Sequence, residues 1–134
     1  MKIKIKSTDI HGQYYEKDFE LKNKSDYGNK KEYHYEDEYG KCKIFKFNDT
    51  IEIYRYGQIN SKQIFKTGEK TSFTYFTKEF KGKYEIFTNI IVTEDEKIYL
   101  EYDIINGNEI LNKIKLEVTE LIWNIKKCNQ RKEK

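Results

Sequence analysis

The chain has 134 residues, of which 37% are hydrophobic, 37% are charged and 16% are aromatic, and it contains no proline. Disordered chains are poor in aromatic residues and rich in proline, so this composition excludes disorder and predicts one folded domain with a single core. The 26 basic and 23 acidic residues alternate along the chain, and the resulting net charge of +3 argues against a dedicated polyanion partner.

Strict alternation of apolar and charged residues begins at the first residues of the chain. The stretch KIKIK (2–6) predicts a half-buried strand with Ile3 and Ile5 facing inward. No apolar signal core and no long uncharged segment are present, so we expect a cytoplasmic protein without a membrane segment. Further strands are predicted at QYYEKDFELK (13–22), KKEYHYED (30–37) and KCKIFKF (41–47).

The stretch IEIYRYG (51–57) contains the most informative residue of the chain. Side chains alternate between the two faces of a strand, so Ile51, Ile53 and Arg55 point to the same side. If the isoleucines face the core, Arg55 does too. A buried guanidinium needs a carboxylate or several carbonyl groups to compensate its lost hydration, and the nearest candidates are Glu36 and Asp37 in the preceding YEDEYG.

The second half of the chain continues the same pattern. Two of its strands are joined by YDIINGNEIL, in which Asn106-Gly107 predicts a two-residue type I′ turn, since both central residues of that turn need positive φ. The predicted strands are SKQIFKT (61–67), TSFTYFT (71–77), KYEIFTNIIV (83–92), IYLEYDI (98–104) and KIKLEV (113–118).

These strands and their short connections predict the fold class. No segment before residue 118 has helical periodicity with caps, and parallel pairing would need long crossovers that the chain lacks. About ten hairpin-linked strands with one apolar face must close to hide that face and their edges. We therefore expect an all-β protein with little or no helix: a single antiparallel up-and-down barrel, a meander of the lipocalin or calycin type. An immunoglobulin-like sandwich is the alternative, but the chain lacks its Cys, Trp, Cys spacing.

The single domain is expected to span residues 1–134, with 119–134 as a partly flexible C-terminal extension. The tail ELIWNIKKCNQRKEK either extends the last strand or adds a short helical turn through Leu121, Ile122 and Ile125.

Several motifs, taken in order, resemble the uncharacterised bacterial YwiB-like proteins. They are YHYEDEYG with its Tyr-x-Glu, IYRYG with Arg-x-Gly, IFKTG with Phe-x-x-Gly, then YFTKEFKGKYEIFT, KIYLEYDI and NKIKLEV. The resemblance runs from Lys2 to Val118 and implies a calycin or lipocalin-like barrel without an established activity. This chain departs from the pattern by placing Lys81 between Phe80 and Gly82, which predicts a bulge or a longer loop in the middle hairpin.

Arg55 is the centre of the predicted site, and two interpretations of it are open. In the first, a fixed ion pair closes one end of the barrel beside Gly57. In the second, Arg55 and tyrosine hydroxyls bind the head group of a small anionic or amphipathic ligand inside the barrel. The ligand-binding residues of this second hypothesis are Arg55, Tyr35, Glu36, Tyr75, Thr77 and Tyr102.

Other side chains predict no catalytic or metal site. His11 and His34 are far apart, and Cys42 and Cys128 lack the spacing of metal ligands. No nucleophile elbow, P-loop or glycine-rich phosphate cradle occurs. The sequence therefore predicts a protein that is not an enzyme, with no cofactor and no metal.

Small-molecule binding is accordingly the leading functional hypothesis. One alternative is contact with RNA or single-stranded DNA, because outward lysines and exposed tyrosines such as Tyr54 and Tyr56 provide a stacking surface. Acidic residues on the same strands, and the fact that only Arg55 and Arg131 are arginines, argue against it. The other alternative is an interaction scaffold without catalysis, which a completely filled barrel would favour.

Overall fold

The computed structural model describes residues 1–121, which form ten β-strands and no helix. Every predicted strand is present, most of them one to several residues longer than the alternation indicates. The strands are β1 (Lys2–Asp9), β2 (Tyr14–Asp26), β3 (Lys31–Asp37), β4 (Gly40–Lys46), β5 (Thr50–Gly57), β6 (Ile59–Lys66), β7 (Lys70–Thr77), β8 (Lys81–Glu94), β9 (Lys97–Asn106) and β10 (Glu109–Leu121).

The ten strands form one closed antiparallel barrel of the up-and-down, lipocalin-like type, which confirms the predicted fold class. Each strand pairs with its neighbours in the chain, and β1 pairs with β10, with Ile5 opposite Val118. Within residues 1–121 each strand pairs with two neighbours, although residues 14–20 of β2 pair with β1 alone. We call the end that carries the turns after Asp9, Asp37, Gly57, Thr77 and Asn106 the cavity end, and the opposite end the Glu120 end.

The three longest strands each contain a register shift. The shifts lie between Leu21 and Asn23 in β2, between Thr88 and Ile90 in β8, and between Ile110 and Asn112 in β10. An extra residue in one strand of a pair bends that strand and increases its twist. These bulges therefore allow strands of 13 and 14 residues to curve around the barrel.

Of the two hairpins singled out in the sequence, one differs from the prediction, and the middle one has the longer loop that was one of its two predicted forms. The loop between β9 and β10 is Gly107-Asn108, because Asn106 pairs with Glu109. Gly107 has φ of +65°, and no non-glycine residue in the described part of the chain has positive φ, so the predicted type I′ turn at Asn106-Gly107 is replaced by one with a single left-handed residue. The middle hairpin has a longer loop, residues 78–80, and its strand register is regular.

The apolar inward faces fill the half of the barrel near the Glu120 end. Ile51 and Ile53 are buried, as their alternation with Glu52 predicts. The largest fully buried side chains are Tyr33, Phe65, Ile3, Ile44, Ile51, Ile86 and Leu100.

The predicted helical turn through Ile122 and Ile125 lies outside the described residues, and β10 itself continues to Leu121. No helix in residues 1–121 is long and apolar enough to span a membrane.

Candidate functional site

The half of the barrel near the cavity end is hollow. A cavity of about 370 Å³ lies between inward side chains of β1 to β6, β9 and β10. This volume is within the usual range of ligand sites, roughly 300 to 1,000 Å³. Its apolar wall includes Ile5, Phe19, Ile53, Leu116 and Val118, and its polar wall includes Tyr15, Tyr35, Asp37, Arg55, Gln63 and Tyr102.

Arg55 forms part of the cavity wall and pairs with a carboxylate. In the strand register it stands between Cys42 of β4 and Ser61 of β6, both of which are buried. Its side chain is 29% exposed, and its Nη2 donates a hydrogen bond to Oδ2 of Asp37, which is 11% exposed. Of the two candidate partners, Asp37 is therefore the one that balances the charge of Arg55.

A close contact between two glycines fixes the geometry of this ion pair. Gly40 and Gly57 are directly opposite each other in β4 and β5, with φ of +138° and +139°. A Cβ atom on Gly57 would lie 2.6 Å from the carbonyl oxygen of Tyr39, so only glycine fits. The amide of Gln58 also donates to the Tyr39 carbonyl oxygen at 2.8 Å.

This contact holds together the turns that follow Asp37 and Gly57. It therefore also fixes the positions of the strand ends that carry Asp37 and Arg55. The same contact places the ring of Tyr39 over the guanidinium, whose Cζ is 5.9 Å from the ring centroid. Tyr39 is thus a partial cover of the cavity at its mouth.

Burial favours the neutral forms of the tyrosine and cysteine side chains around Arg55. It raises the pKa of Tyr35 far above the ordinary tyrosine value, with a further contribution from Cys42. Burial also raises the pKa of Tyr15 and of the Cys42 thiol. For Arg55, burial alone would lower the pKa, but Cys42 and Asp37 more than offset it and the pKa is raised. The cavity therefore presents hydroxyl donors and a permanent cation at neutral pH.

The structure brings three of the six predicted ligand-binding residues together. Arg55, Tyr35 and Tyr102 all line the cavity. Glu36 does not, because its side chain lies on the outer face of β3 and is exposed. Alternation itself places Asp37, and not Glu36, on the same face as Tyr35.

The other two predicted residues lie outside the cavity. Tyr75 and Thr77 line a separate depression at the mouth, which shares Tyr39 with the cavity. The Thr77 hydroxyl accepts hydrogen bonds from the amides of Glu79 and Phe80, so it stabilises the loop that follows it.

Sequence reasoning missed several cavity residues. Tyr15 and Lys17 share a strand face with Phe19, so the alternation in QYYEKDFELK carries the signal that would have found them. Gln63 likewise shares a face of β6 with buried Phe65, and only Tyr39 had no such signal. Tyr39 reaches the cavity from a turn, through the contact between Gly40 and Gly57.

A buried carboxylate, that of Glu120, lies at the Glu120 end. The Glu120 carboxylate is 2% exposed and accepts hydrogen bonds at 2.7 Å from Lys24 Nζ and from the Tyr33 hydroxyl, with Lys31 Nζ at 3.7 Å. Burial alone would raise the pKa of Glu120, but the bonds from Lys24 and Tyr33 outweigh it and lower the pKa. Both carboxylate oxygens have partners within residues 1–121, so the charge of Glu120 is balanced inside the protein.

Potential metal ligands are scattered over the barrel. Within residues 1–121, no group of three or more His, Cys, Asp or Glu side chains is arranged to hold a metal ion.

Comparison with known proteins gives a family and a fold. The model of a family described as a domain of unknown function, DUF1934, matches residues 3–118. Among solved structures, the crystal structure of the ywiB protein from Bacillus subtilis superimposes with a TM-score of 0.63, at 20% identity over 90% of this chain and 91% of that chain. At this identity the similarity shows the fold alone. The search of curated proteins finds none that matches.

Proposed function

The chain belongs to the DUF1934 family, as its resemblance to the YwiB-like proteins predicts, and we propose that it binds a small amphipathic molecule inside its barrel. The observation that carries this proposal is the cavity of about 370 Å³ with a half-buried guanidinium in its wall. A barrel that served only as a scaffold would have no need to leave this half hollow, since cavities cost stability.

The shape of the site suits a molecule with one polar end. Isoleucine, leucine and valine side chains line the deeper wall, and the polar groups gather near the mouth around Arg55. Apolar burial supplies most of the affinity in sites of this kind, while a few placed polar groups fix the orientation of the ligand. The apolar part of the ligand would then lie toward the filled half of the barrel.

The polar end of the ligand is expected to accept hydrogen bonds. Asp37 occupies one terminal nitrogen of Arg55, and a guanidinium has five N–H donors in all. The protonated hydroxyls of Tyr15 and Tyr35 add two further donors on the same wall. A carboxylate is the strongest acceptor for such a set, because charge-assisted hydrogen bonds are roughly twice as strong as neutral ones.

Asp37 limits how strongly an acid can bind. Its carboxylate neutralises part of the field of Arg55 and repels an anion placed beside it. The site therefore recognises an acid group by hydrogen bonding from Arg55 and the tyrosines. We assign no catalytic step, cofactor or membrane partner to it, and we expect the protein to act in the cytoplasm.

Calorimetric titration with octanoate and with octanol tests the role of Arg55. We expect octanoate to bind more tightly than octanol, and Arg55→Leu to weaken octanoate by at least about tenfold, the loss of one charge-assisted hydrogen bond. Asp37→Asn is expected to strengthen octanoate binding, since it removes the competing anion. Native mass spectrometry of the freshly purified protein checks for a molecule that binds during expression.

Lys24→Met is the matched control for this test. It also removes a cation that pairs with a carboxylate, but at the Glu120 end of the barrel. We expect it to lower the melting temperature and leave octanoate affinity unchanged. Equal octanoate affinity in the Arg55→Leu variant and the wild type would rule out a binding role for Arg55 and favour the structural ion pair.

A further inference from the structure

A row of outward side chains that contains three lysines and a histidine crosses the outer surface of the barrel, away from the cavity. Residues directly opposite one another in antiparallel strands lie on the same face of the sheet. The register of β3 to β8 therefore aligns one residue from each strand in a row across the outside of the barrel. We call this the basic row; it consists of His34, Lys43, Tyr54, Lys62, Thr74 and Lys83.

Aromatic rings lie next to the basic row and contact one another. Phe45 makes an edge contact with Tyr54, with ring centroids 5.5 Å apart. The rings of Tyr54 and Tyr56 are parallel within 2°, with centroids 6.3 Å apart, and Tyr56 is 48% exposed. Lys43 Nζ lies 5.6 Å from the ring centroid of Tyr56, and Lys62 Nζ lies 5.9 Å from that of Tyr54. Cations and aromatic rings thus lie side by side on one surface, with Tyr56 exposed and Tyr54 and Phe45 half-buried.

Two acids beside the basic row are engaged by other side chains. Glu32 is engaged by Lys30 at 3.4 Å and by His34 at 3.3 Å. Glu52 accepts a hydrogen bond from the Tyr54 hydroxyl. Among the residues described, no carboxylate lies within ion-pair distance of Lys43, Lys62 or Lys83.

The opposite outer face of the barrel differs in this respect. There the equivalent row reads Glu16, Lys6, Glu117, Tyr99 and Val92, so the lysine has an acid on each side. Its neighbours are paired as well, with Lys4 3.4 Å from Glu16 and Lys97 3.4 Å from Glu117. Lys6 has no ion pair within residues 1–121 either, so the two faces differ in the register: acids stand directly opposite Lys6, and none stands directly opposite Lys43, Lys62 or Lys83.

We propose that the basic row binds single-stranded nucleic acid, with phosphates at Lys43, Lys62 and Lys83 and bases stacked on Tyr54 and Tyr56. Proteins that bind single strands without sequence preference combine a basic track for the backbone with aromatic rings for the bases. Five strand spacings make the row about 24 Å long, which is enough for several nucleotides. The surface lies outside the barrel, so this proposal does not depend on the cavity ligand.

Fluorescence anisotropy with labelled single-stranded RNA, the same sequence as DNA, and the corresponding duplex tests the proposal. We expect both single strands to bind and the duplex to bind more weakly, because paired bases cannot stack on the rings. Three lysine contacts predict a slope of about −2 for log K against log salt, near −0.7 for each contact. Tyr54→Ala is expected to weaken binding by about tenfold or more. Replacing Lys62 and Lys83 with glutamine is expected to reduce the slope by roughly 1.4.

Tyr99→Ala and Lys6→Gln on the opposite face are the matched controls. The Tyr99 hydroxyl donates to Glu101 as that of Tyr54 donates to Glu52, so both substitutions remove the same type of contact. We expect these controls to leave binding unchanged, with melting temperatures showing that all variants fold. No binding at low salt, tighter binding of the duplex, or equal losses in the controls and in Tyr54→Ala would overturn the proposal.

Discussion

Replacing Gly40 with alanine is expected to lower the free energy of unfolding by more than about 3 kcal/mol, a large part of the roughly 5 to 15 kcal/mol that stabilises a domain. Gly40 has φ of +138°, where any other residue is strained, and an added Cβ would overlap the carbonyl oxygen of Tyr56. The overlapping atom belongs to the backbone, so no side-chain rotation relieves the clash. Urea denaturation measures the effect as a fall of about 1 M or more in the midpoint.

Gly68→Ala is the control for this prediction. Gly68 also has positive φ, at +75°, but no atom lies within 4 Å of the position that its Cβ would take. Only the conformational cost remains, about 1 kcal/mol. If Gly40→Ala lowered the midpoint no further than Gly68→Ala, the contact between Gly40 and Gly57 would not be what fixes the two turns.

The sequence predicted the strands well, because alternation is a local property. Ile3, Ile5 and Leu100 are buried as their parity indicates. Closure of the barrel was predicted because an open sheet would expose its edges and its apolar face. The bulges near Lys22 and Asn89 were not predicted, since they depend on how far each long strand must curve around the barrel. The turn after Asn106 differs from the predicted one for a related reason: the strand pairing next to it shifts between Ile110 and Asn112.

The site was only partly predictable. The alternation of side chains between strand faces correctly predicted that Arg55 points inward. The same alternation applied to β3 would have selected Asp37, and not Glu36, as the partner of Arg55. Gly57 holds two turns together through its contact with Gly40, which belongs to another hairpin. The alternation of residues along a strand does not indicate which turns contact each other. Glu120 follows Val118, where the family match ends, and its three partners come from β2 and β3.

Arg55 and Glu120 lie in opposite halves of the barrel and differ in how their charges are satisfied. Glu120 has hydrogen-bonding partners on both carboxylate oxygens, so its charge is fully balanced within the protein. Arg55 shares one nitrogen with Asp37, beside a cavity lined with tyrosine hydroxyls. A fully satisfied charge stabilises the fold, while a charge with unused donors beside a hollow is suited to recognition.

Glu120→Gln is expected to lower the free energy of unfolding by about 3 kcal/mol, because it leaves Lys24 and Lys31 near a buried position without an anion. Glu117→Gln on the same strand is the control. Glu117 is 30% exposed and 3.4 Å from Lys97, so we expect a loss below about 1 kcal/mol. Chemical denaturation at pH 7 compares the two variants, and equal losses would show that the Glu120 cluster does not stabilise the barrel.

The pH dependence of stability gives an independent check on Glu120. The pKa of Glu120 is lower in the folded protein than in the unfolded chain, where a glutamate titrates at about 4.3. Its contribution to stability is therefore fully present above that value, and it is lost as the pH falls through the folded pKa. The wild type should lose stability more steeply than Glu120→Gln between about pH 5 and pH 3, where the variant lacks the group that titrates. Parallel curves for the two proteins would mean that burial, which favours the neutral acid, cancels the effect of the hydrogen bonds from Lys24 and Tyr33, and a shallower loss in the wild type than in the variant would mean that burial outweighs them.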